Sequence, residues 1–232
     1  MKNCKGIIMD IDNTIYNYDY CHQSSINLIF NEIKNKYSIP YDIIFKQYEQ
    51  SKININKYLK NTASSHNKLL QIQNLLESLN IFKIDYLNYL SNLYYDLFFQ
   101  NMHVEDGLIN FLNLNSNKKI LFLTDMTIDI QIKKLINLNI FSSNISIVTS
   151  EEFGIEKPSI LLYNYAINKL KLLPTEICTI GDNYEKDIVP SIHLNLIAYW
   201  YNKYNNDKNK IINNNKCFII NDYSQLNYYF NE

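Results

Sequence analysis

The sequence places paired carboxylates directly after its first apolar run. Asp10 and Asp12 are separated by one residue and follow residues 7–9, and Thr14 lies two residues further on. Just past the end of a strand, the backbone can turn two such carboxylates into one site from different directions. Taken alone the pair is weak evidence for chemistry, because acidic turns are common in loops that have none.

Polar side chains also follow three later apolar runs. The second run ends in Thr124 and Asp125, the third is followed by Lys157, and the fourth by Asp182 and Asp187. In an open α/β sheet, ligands bind outside the carboxyl ends of the strands, at the point where the strand order reverses. We therefore expect a hydroxyl, an ammonium and at least three carboxylates to converge on one crevice.

Apolar runs of strand length position these groups. They cover residues 7–11, 120–124, 145–149, 177–180 and 196–201, and a last strand is predicted at 217–220. Helical periodicity separates the later runs, at residues 128–138, 160–170 and about 184–193. This alternation predicts an α/β fold with a doubly wound parallel sheet and helices on both faces.

Residues 17–103 interrupt the alternation. They read as several amphipathic helices without a convincing strand, and between Ile84 and Phe98 apolar residues recur every three to four positions, as on a helix packed against others. We therefore predict an all-helical domain at 17–103, inserted into an α/β core made of residues 1–16 and 104–232. The Asn- and Lys-rich residues 202–216 are predicted to form a solvated loop.

Taken together, the motifs resemble the haloacid dehalogenase superfamily, and in particular its phosphatases with a helical cap between the first and second motifs. The resemblance runs from about residue 7 to 201 and implies a Rossmann-like core. The matching residues occur in the order and spacing of that family: Asp10, Asp12, Thr14, Thr124, Lys157, Pro158, Gly181, Asp182 and Asp187.

The resemblance implies a phosphatase that hydrolyses a small phosphomonoester, such as a nucleotide or a sugar phosphate. Asp10 would be the nucleophile and would form an aspartyl-phosphate. Asp12 would protonate the departing alkoxide and then take a proton from the attacking water. That role requires Asp12 to be protonated while Asp10 stays ionised.

A Mg²⁺ ion is also implied by the resemblance. Its expected ligands are the carboxylates of Asp10 and Asp182 and the backbone carbonyl of Asp12, while Asp187 either binds the ion or acts through one of its ligands.

Phosphate binding is assigned by the same resemblance. Thr124, with the adjoining Asp125, would bind the phosphoryl oxygens, and Lys157 would neutralise the charge that the phosphate shares with Asp10. All 22 basic residues are lysines, so no guanidinium can take this role.

Substrate selection is expected to depend on the cap, because the core motifs hold only the phosphoryl group. Ser65, His66 and Lys68, in the least periodic part of the cap, are the candidates for substrate contact. An alternative is that Ser64 or Ser65 is a helix N-cap and that His66 and Lys68 lie on a solvated face. The sequence leaves both readings open.

Two residues depart from the pattern of the family near its last motif. Pro190 lies inside the helix predicted at about 184–193 and should kink or shorten it. Asn195 stands where the family often has glycine, and Asn tolerates the left-handed conformation that ends a helix.

Composition excludes several classes of partner. Against the 22 basic residues stand 23 Asp and Glu, a formal charge of −1, which argues against nucleic-acid and anionic-membrane binding. No apolar run approaches the roughly 20 residues of a membrane span, and the first is too short for a secretion signal. The four cysteines of the chain are too far apart in sequence for a zinc site and are expected to be reduced, buried thiols. We expect a cytoplasmic protein, monomeric or homodimeric.

Two rival functions use the same residues. Dehalogenation would employ the same aspartyl nucleophile, but a carbon–halogen bond has no alkoxide to protonate, so Asp12 would be idle. A non-catalytic phosphate-binding module would also gather Asp, Thr and Lys, but it would need neither the second acid nor the large cap.

Overall fold

The computed structural model describes residues 4–204 and 215–231. Most of the predicted loop at 202–216 lies outside the described residues. The chain folds as two compact units. One unit is Tyr18–Met102, and the other combines the residues up to Asn17 with those from His103 onward.

Among the described residues, the unit that includes both ends of the chain contains six strands. They are β1 (Gly6–Met9), β2 (Lys119–Thr124), β3 (Ile145–Thr149), β4 (Ile177–Gly181), β5 (Ile197–Tyr201) and β6 (Cys217–Ile220). All five pairings are parallel, in the order β3-β2-β1-β4-β5-β6. The prediction of a doubly wound parallel α/β sheet is confirmed.

The strand order reverses at β1. Met9, the last residue of β1, pairs with Phe122 of β2 on one side and with Ile180 of β4 on the other. Residues that follow these strands therefore leave the sheet side by side, which is the position where open α/β sheets bind ligands.

Helices lie between strands of this unit and after the last of them. They are α5 (Leu108–Leu114), α6 (Ile128–Asn137), α7 (Ser150–Phe153), α8 (Ile160–Leu170), α9 (Val189–His193) and α10 (Ser224–Asn231), with a short 3-10 turn at Pro174–Glu176. The apolar side of α8, including Leu162 and Ala166, packs against Ile8, Leu121 and Val148 of the sheet. Burial of these side chains drives the helix onto the strands.

The helix predicted at about 184–193 is divided. A π-helical turn at Tyr184–Ile188 precedes α9, and Pro190 stands at the start of α9, where the missing N–H has least effect. Asn195 has a φ of 64°, the left-handed conformation expected after the helix. All four cysteines are buried free thiols, as expected.

The other unit, Tyr18–Met102, is all-helical in the described residues. It contains α1 (Tyr18–Tyr37), α2 (Tyr41–Leu59), a 3-10 turn (Ala63–His66), α3 (Lys68–Ser78) and α4 (Ile84–Gln100). Helix α1 packs on α4, and α2 packs on α3. Nowhere in the described parts of either unit is a helix both long and apolar enough to cross a bilayer.

Helix α4 buries a narrower face than its sequence suggests. Tyr86, Leu90, Tyr94 and Phe98 are buried at a spacing of four residues, whereas Ile84 is 78% exposed. Ile84 is the first residue of the helix and precedes the first buried residue, Tyr86, by two positions, so the predicted stripe begins outside the packed face.

Candidate active site

The site is built where β1 and β4 end. The backbone N–H of Asp10 donates to the carbonyl of Ile180 at 2.9 Å, so Asp10 begins its loop beside Asp182. The hydroxyl of Thr14 donates to Asp10 Oδ2 at 3.1 Å. The hydroxyl oxygen of Thr14 in turn accepts the backbone N–H of Asp182 at 3.1 Å. Fully buried Thr14 therefore ties the two loops together.

Lys157 is the cation of this cluster. Its Nζ donates to Asp10 Oδ1 at 2.6 Å and to Asp187 Oδ1 at 2.7 Å, and its side chain is 4% exposed. Burial alone would lower the pKa of Lys157, but the charges of Asp10, Asp187 and Asp125 raise it well above the usual value. Lys157 is therefore held as an ammonium between two carboxylates.

Asp125 supports Lys157 through its carboxylate. Its Oδ1 accepts the backbone N–H of Lys157 at 2.9 Å, and its Oδ2 accepts Lys186 Nζ at 2.9 Å. Both side-chain oxygens of Asp125 thus fix neighbouring loops, and contact of Asp125 with substrate stays a prediction.

Asp187 lies close to β4 because residue 181 is a glycine. A Cβ built on Gly181 would stand 2.5 Å from Asp187 Cβ, closer than any real side chain allows. The backbone N–H of Asn183 donates to Asp187 Oδ2 at 3.0 Å, and Lys157 occupies Oδ1. Both carboxylate oxygens of Asp187 thus orient other parts of the site.

Three carboxylates form an acidic cluster. Oxygens of Asp10, Asp182 and Asp187 all lie within 4.8 Å of one another. Burial raises the pKa of Asp10 to about 7 against the opposing charge of Lys157, with repulsion from Asp187 and Asp12 adding to the effect. Burial, followed by repulsion from Asp10 and Asp187, raises the pKa of Asp182 to about 8. Hard oxygen donors with excess negative charge suit a divalent cation such as Mg²⁺.

The partners of Asp12 are a lysine and neutral hydrogen-bond donors, in contrast to the carboxylates around Asp10. Lys134 Nζ donates to Asp12 Oδ1 at 2.6 Å and to Oδ2 at 2.9 Å, Gln131 Nε2 approaches Oδ2 at 3.3 Å, and the hydroxyl of Tyr16 donates to Oδ1. Burial acts to raise the pKa of Asp12, but the charge of Lys134 and these hydrogen bonds outweigh it and lower the pKa. In the metal-free protein the pKa of Asp10 is thus raised and that of Asp12 lowered, the opposite order to the one that their expected roles require.

Gln131 and Lys134 are absent from the sequence prediction. They lie three residues apart on α6, and their side chains are buried at 0% and 1% exposure. Gln131 Nε2 also donates to Thr124 Oγ1 at 2.6 Å. The available signal was a glutamine and a lysine on one face of the helix that follows Thr124, but such residues usually lie in solvent.

The cap candidates are partly corrected. Asn67 is the N-cap of α3, since its side chain accepts the N–H of Leu70 at 3.2 Å, so a serine N-cap is wrong. Ser65 and Lys68 are both 6% exposed, and Lys68 Nζ donates to Gln71 Oε1 at 3.1 Å, so Lys68 is not on a solvated face. His66 is half-buried. Substrate contact by Ser65, His66 and Lys68 stays a prediction.

His22 is a half-buried polar residue of the helical unit. Its Nδ1 lies 2.8 Å from the hydroxyl of Tyr94. Burial, with the charges of Lys68 and Lys52, lowers the pKa of His22 to about 3. His22 is therefore neutral at physiological pH and receives positive potential from two lysines.

Comparison with known proteins assigns the family. A model of the haloacid dehalogenase-like hydrolase family matches residues 4–190. The chain belongs to this family. The resemblance seen in the sequence motifs is thereby confirmed, and the protein is a hydrolase.

Two characterised relatives of this haloacid dehalogenase-like hydrolase are phosphatases. A ribulose-1,5-bisphosphate 5-phosphatase of Halopiger xanaduensis is 26% identical over 188 residues, which cover 79% of this chain and 78% of the relative. A glyceraldehyde 3-phosphate phosphatase of Methanocaldococcus jannaschii is 26% identical over 203 residues, covering 84% and 83%.

A solved structure shares the fold of the hydrolase over its full length. The putative hydrolase YfnB of Bacillus subtilis, bound to magnesium, superposes with a TM-score of 0.71 at 19% identity and covers 99% of this chain and all of its own. This likeness supports the α/β fold described above.

Proposed function

We propose that this hydrolase is a Mg²⁺-dependent phosphomonoesterase that acts through an aspartyl-phosphate on Asp10. One observation carries the proposal: two carboxylates, Asp10 and Asp12, follow the central strand and have separate sets of partners. Lys157 and Thr14 orient Asp10, while Lys134, Gln131 and Tyr16 hold Asp12. A nucleophile and a separate acid–base group are the two parts that hydrolysis through a covalent intermediate needs.

The acidic cluster fits the proposed ion. We expect the carboxylates of Asp10 and Asp182 and the carbonyl of Asp12 to hold Mg²⁺, with Asp187 acting through Lys157 and the Asn183 loop. When bound, the ion would neutralise the excess charge of the cluster and of the phosphoryl group. The raised pKa values of Asp10 and Asp182 support this assignment, because they reflect burial of the two carboxylates and a mutual repulsion that one lysine does not balance.

Different residues of the chain carry out the separate steps of the proposed reaction. An Asp10 oxygen attacks phosphorus while the bond to the leaving oxygen breaks, and Asp12 in its protonated form gives that oxygen its proton. Lys157 and the hydroxyl of Thr124 stabilise the charge on the phosphoryl oxygens. Asp12 then takes a proton from water as the water attacks phosphorus, and the Asp10–phosphorus bond breaks to release inorganic phosphate.

The two phosphatase relatives of this hydrolase narrow the proposed substrate class. Both are named for small phosphorylated sugars, which supports a sugar phosphate above a nucleotide. Dehalogenation is disfavoured because it would leave Asp12, with its three partners, without a task. Cytoplasmic location and a monomeric or homodimeric state stay predictions from the sequence.

A panel of phosphomonoesters tests the proposal. Purified protein should release phosphate from p-nitrophenyl phosphate and from sugar phosphates when Mg²⁺ is present, and lose this activity in EDTA. Full activity in excess EDTA would contradict the metal assignment. Absence of hydrolysis across the panel, with Mg²⁺ supplied, would contradict the phosphatase function.

A further inference from the structure

We propose that Lys134 and Gln131 are positioning residues that fix Asp12 and Thr124 relative to each other during the reaction. The inference rests on the proposed phosphatase function, because Asp12 is the acid–base group and Thr124 the phosphate-binding hydroxyl only in that reaction.

Lys134 fixes the plane of the Asp12 carboxylate. A single ammonium contacts both oxygens, at 2.6 and 2.9 Å, so the carboxylate can neither rotate nor tilt without losing a charge-assisted hydrogen bond. The Lys134 side chain is 1% exposed, whereas that of Asp12 is 22% exposed. The carboxylate thus keeps one open side while its orientation is set from the buried side.

Burial of Lys134 has an energetic cost that an ordinary helix contact does not require. Removing an ammonium from water is expensive, and replacing a buried ion pair by apolar residues is often neutral or stabilising. The preceding residue, Lys133, shows the cheaper arrangement, since it is 56% exposed and pairs with Asp129 on the surface of the same helix. A positioning role accounts for the buried location of Lys134.

Gln131 links the acid–base group to the phosphate-binding hydroxyl. Its Nε2 lies 2.6 Å from Thr124 Oγ1 and 3.3 Å from Asp12 Oδ2. Because Thr124 Oγ1 accepts this hydrogen bond, its own proton is left to donate to a phosphoryl oxygen. Among the described residues, Gln131 Oε1 is buried without a partner, so the amide is placed for its donors.

Both positioning residues lie on α6, which makes the arrangement rigid. Lys134 is one turn beyond Gln131, so one helix face contacts the loop after β1 and the end of β2 together. A shift of α6 would therefore move the proton donor and the phosphoryl site together and preserve their separation.

Misplacement of Asp12 has a signature that depends on the leaving group. A p-nitrophenolate departs without a proton, so formation of the aspartyl-phosphate from p-nitrophenyl phosphate does not need Asp12. An alkoxide does need the proton, and attack of water on the intermediate needs Asp12 with either substrate. A general loss of folding would lower all of these steps alike.

The test compares Lys134→Met with the matched control Lys133→Met. For Lys134→Met on p-nitrophenyl phosphate we expect kcat to fall about tenfold or more, kcat/KM to stay within about threefold, and phosphorylated enzyme to accumulate in acid-quenched samples. On an alkyl phosphate such as a sugar phosphate, kcat/KM should also fall about tenfold. Lys133→Met should match wild type in every measurement.

A double variant keeps the test decisive if Lys134→Met folds poorly. Asp12→Asn/Lys134→Met removes both members of the pair, and it should show the same kinetics as Asp12→Asn alone if Lys134 acts through Asp12. A further loss in the double variant, or equal losses on both substrates in Lys134→Met, would overturn the proposal. Wild-type protein without phosphatase activity would instead reject the function on which the proposal rests.

Discussion

Asp10 and Asp12 are two residues apart in the chain, yet their surroundings differ in the sign of the net charge. Asp10 shares a buried cluster with two more carboxylates and a single lysine, and its pKa is raised to about 7. Asp12 has a lysine of its own and hydrogen-bond donors, and its pKa is lowered. Burial and partners from distant segments, Lys157 for Asp10 and Lys134 for Asp12, therefore set the pKa of each carboxylate.

The largest loss of activity is expected from substitution of Asp10. Asp10→Asn should abolish turnover and covalent phosphate incorporation, because an amide is not a competent nucleophile. Phosphate release and acid-stable ³²P labelling would measure this, with Asp129→Asn on the surface of α6 as the control. Near-normal turnover by Asp10→Asn would show that the nucleophile lies elsewhere.

Substitution of Asp12 should cause a smaller loss of activity, and the loss should depend on the leaving group of the substrate. We expect Asp12→Asn to lower kcat for sugar phosphates by roughly 10²- to 10⁴-fold, the range typical of general acid–base catalysis. With p-nitrophenyl phosphate, the variant should still become phosphorylated, which mass spectrometry can detect. If neither substrate labels the variant, Asp12 is needed for attack by Asp10, and the division of roles is wrong.

Magnesium binding should depend on pH because of the acidic cluster. The pKa values of Asp10 and Asp182, about 7 and 8, lie above their ordinary value, so the metal-free folded state binds more protons than the unfolded chain between about pH 4 and 8. Without metal, stability contributed by these groups is present at low pH and is lost as pH rises through the folded-state values.

The ion should reverse this loss. Mg²⁺ displaces the protons, so its affinity should rise by about tenfold per pH unit for each proton displaced as pH increases from 6 to 8. Thermal melting in EDTA and in Mg²⁺ at several pH values measures both effects. Equal stabilisation by Mg²⁺ at pH 5.5 and pH 8 would contradict the raised pKa values.

The smallest effect is expected from Asp125, which supports Lys157 from behind. Asp125→Asn keeps an oxygen for the N–H of Lys157 but loses the charge that pairs with half-exposed Lys186, a contact worth up to about 1 kcal/mol at such a site. A two- to tenfold loss of kcat/KM should accompany the lower melting temperature. Lys186→Met is the matched variant, and it should reproduce the stability loss.

The sequence was sufficient for the sheet and for the residues at its carboxyl edge. Apolar runs of strand length locate the strands, and parallel pairing requires that Asp10, Asp182 and Lys157 leave the same edge. Lys134 and Gln131 were missed because a polar residue on a helix reveals its burial only through tertiary packing. The lowered pKa of Asp12 depends on these same two residues, so the sequence pattern does not reveal it.

Local competition accounts for the remaining errors. Two serines and Asn67 all precede α3, and each is a favourable N-cap, so the choice depends on where the preceding 3-10 turn ends. In α4 the predicted stripe and the packed face overlap at Leu90, Tyr94 and Phe98, and the helix start decides that Ile84 is exposed. The exact residue at which a helix begins thus depends on contacts with residues that are distant in sequence.

The central position of β1 also has a consequence for synthesis and folding. Met9 pairs with Phe122 and Ile180, so during synthesis β1 has neither of these sheet partners until the helical residues Tyr18–Met102 and then β2 have followed it. Closing so long a loop costs entropy before any strand contact repays it, which makes folding of the sheet slow relative to local helix formation. During that interval β1, with four buried apolar or glycine positions, is an unpaired edge that other chains can contact.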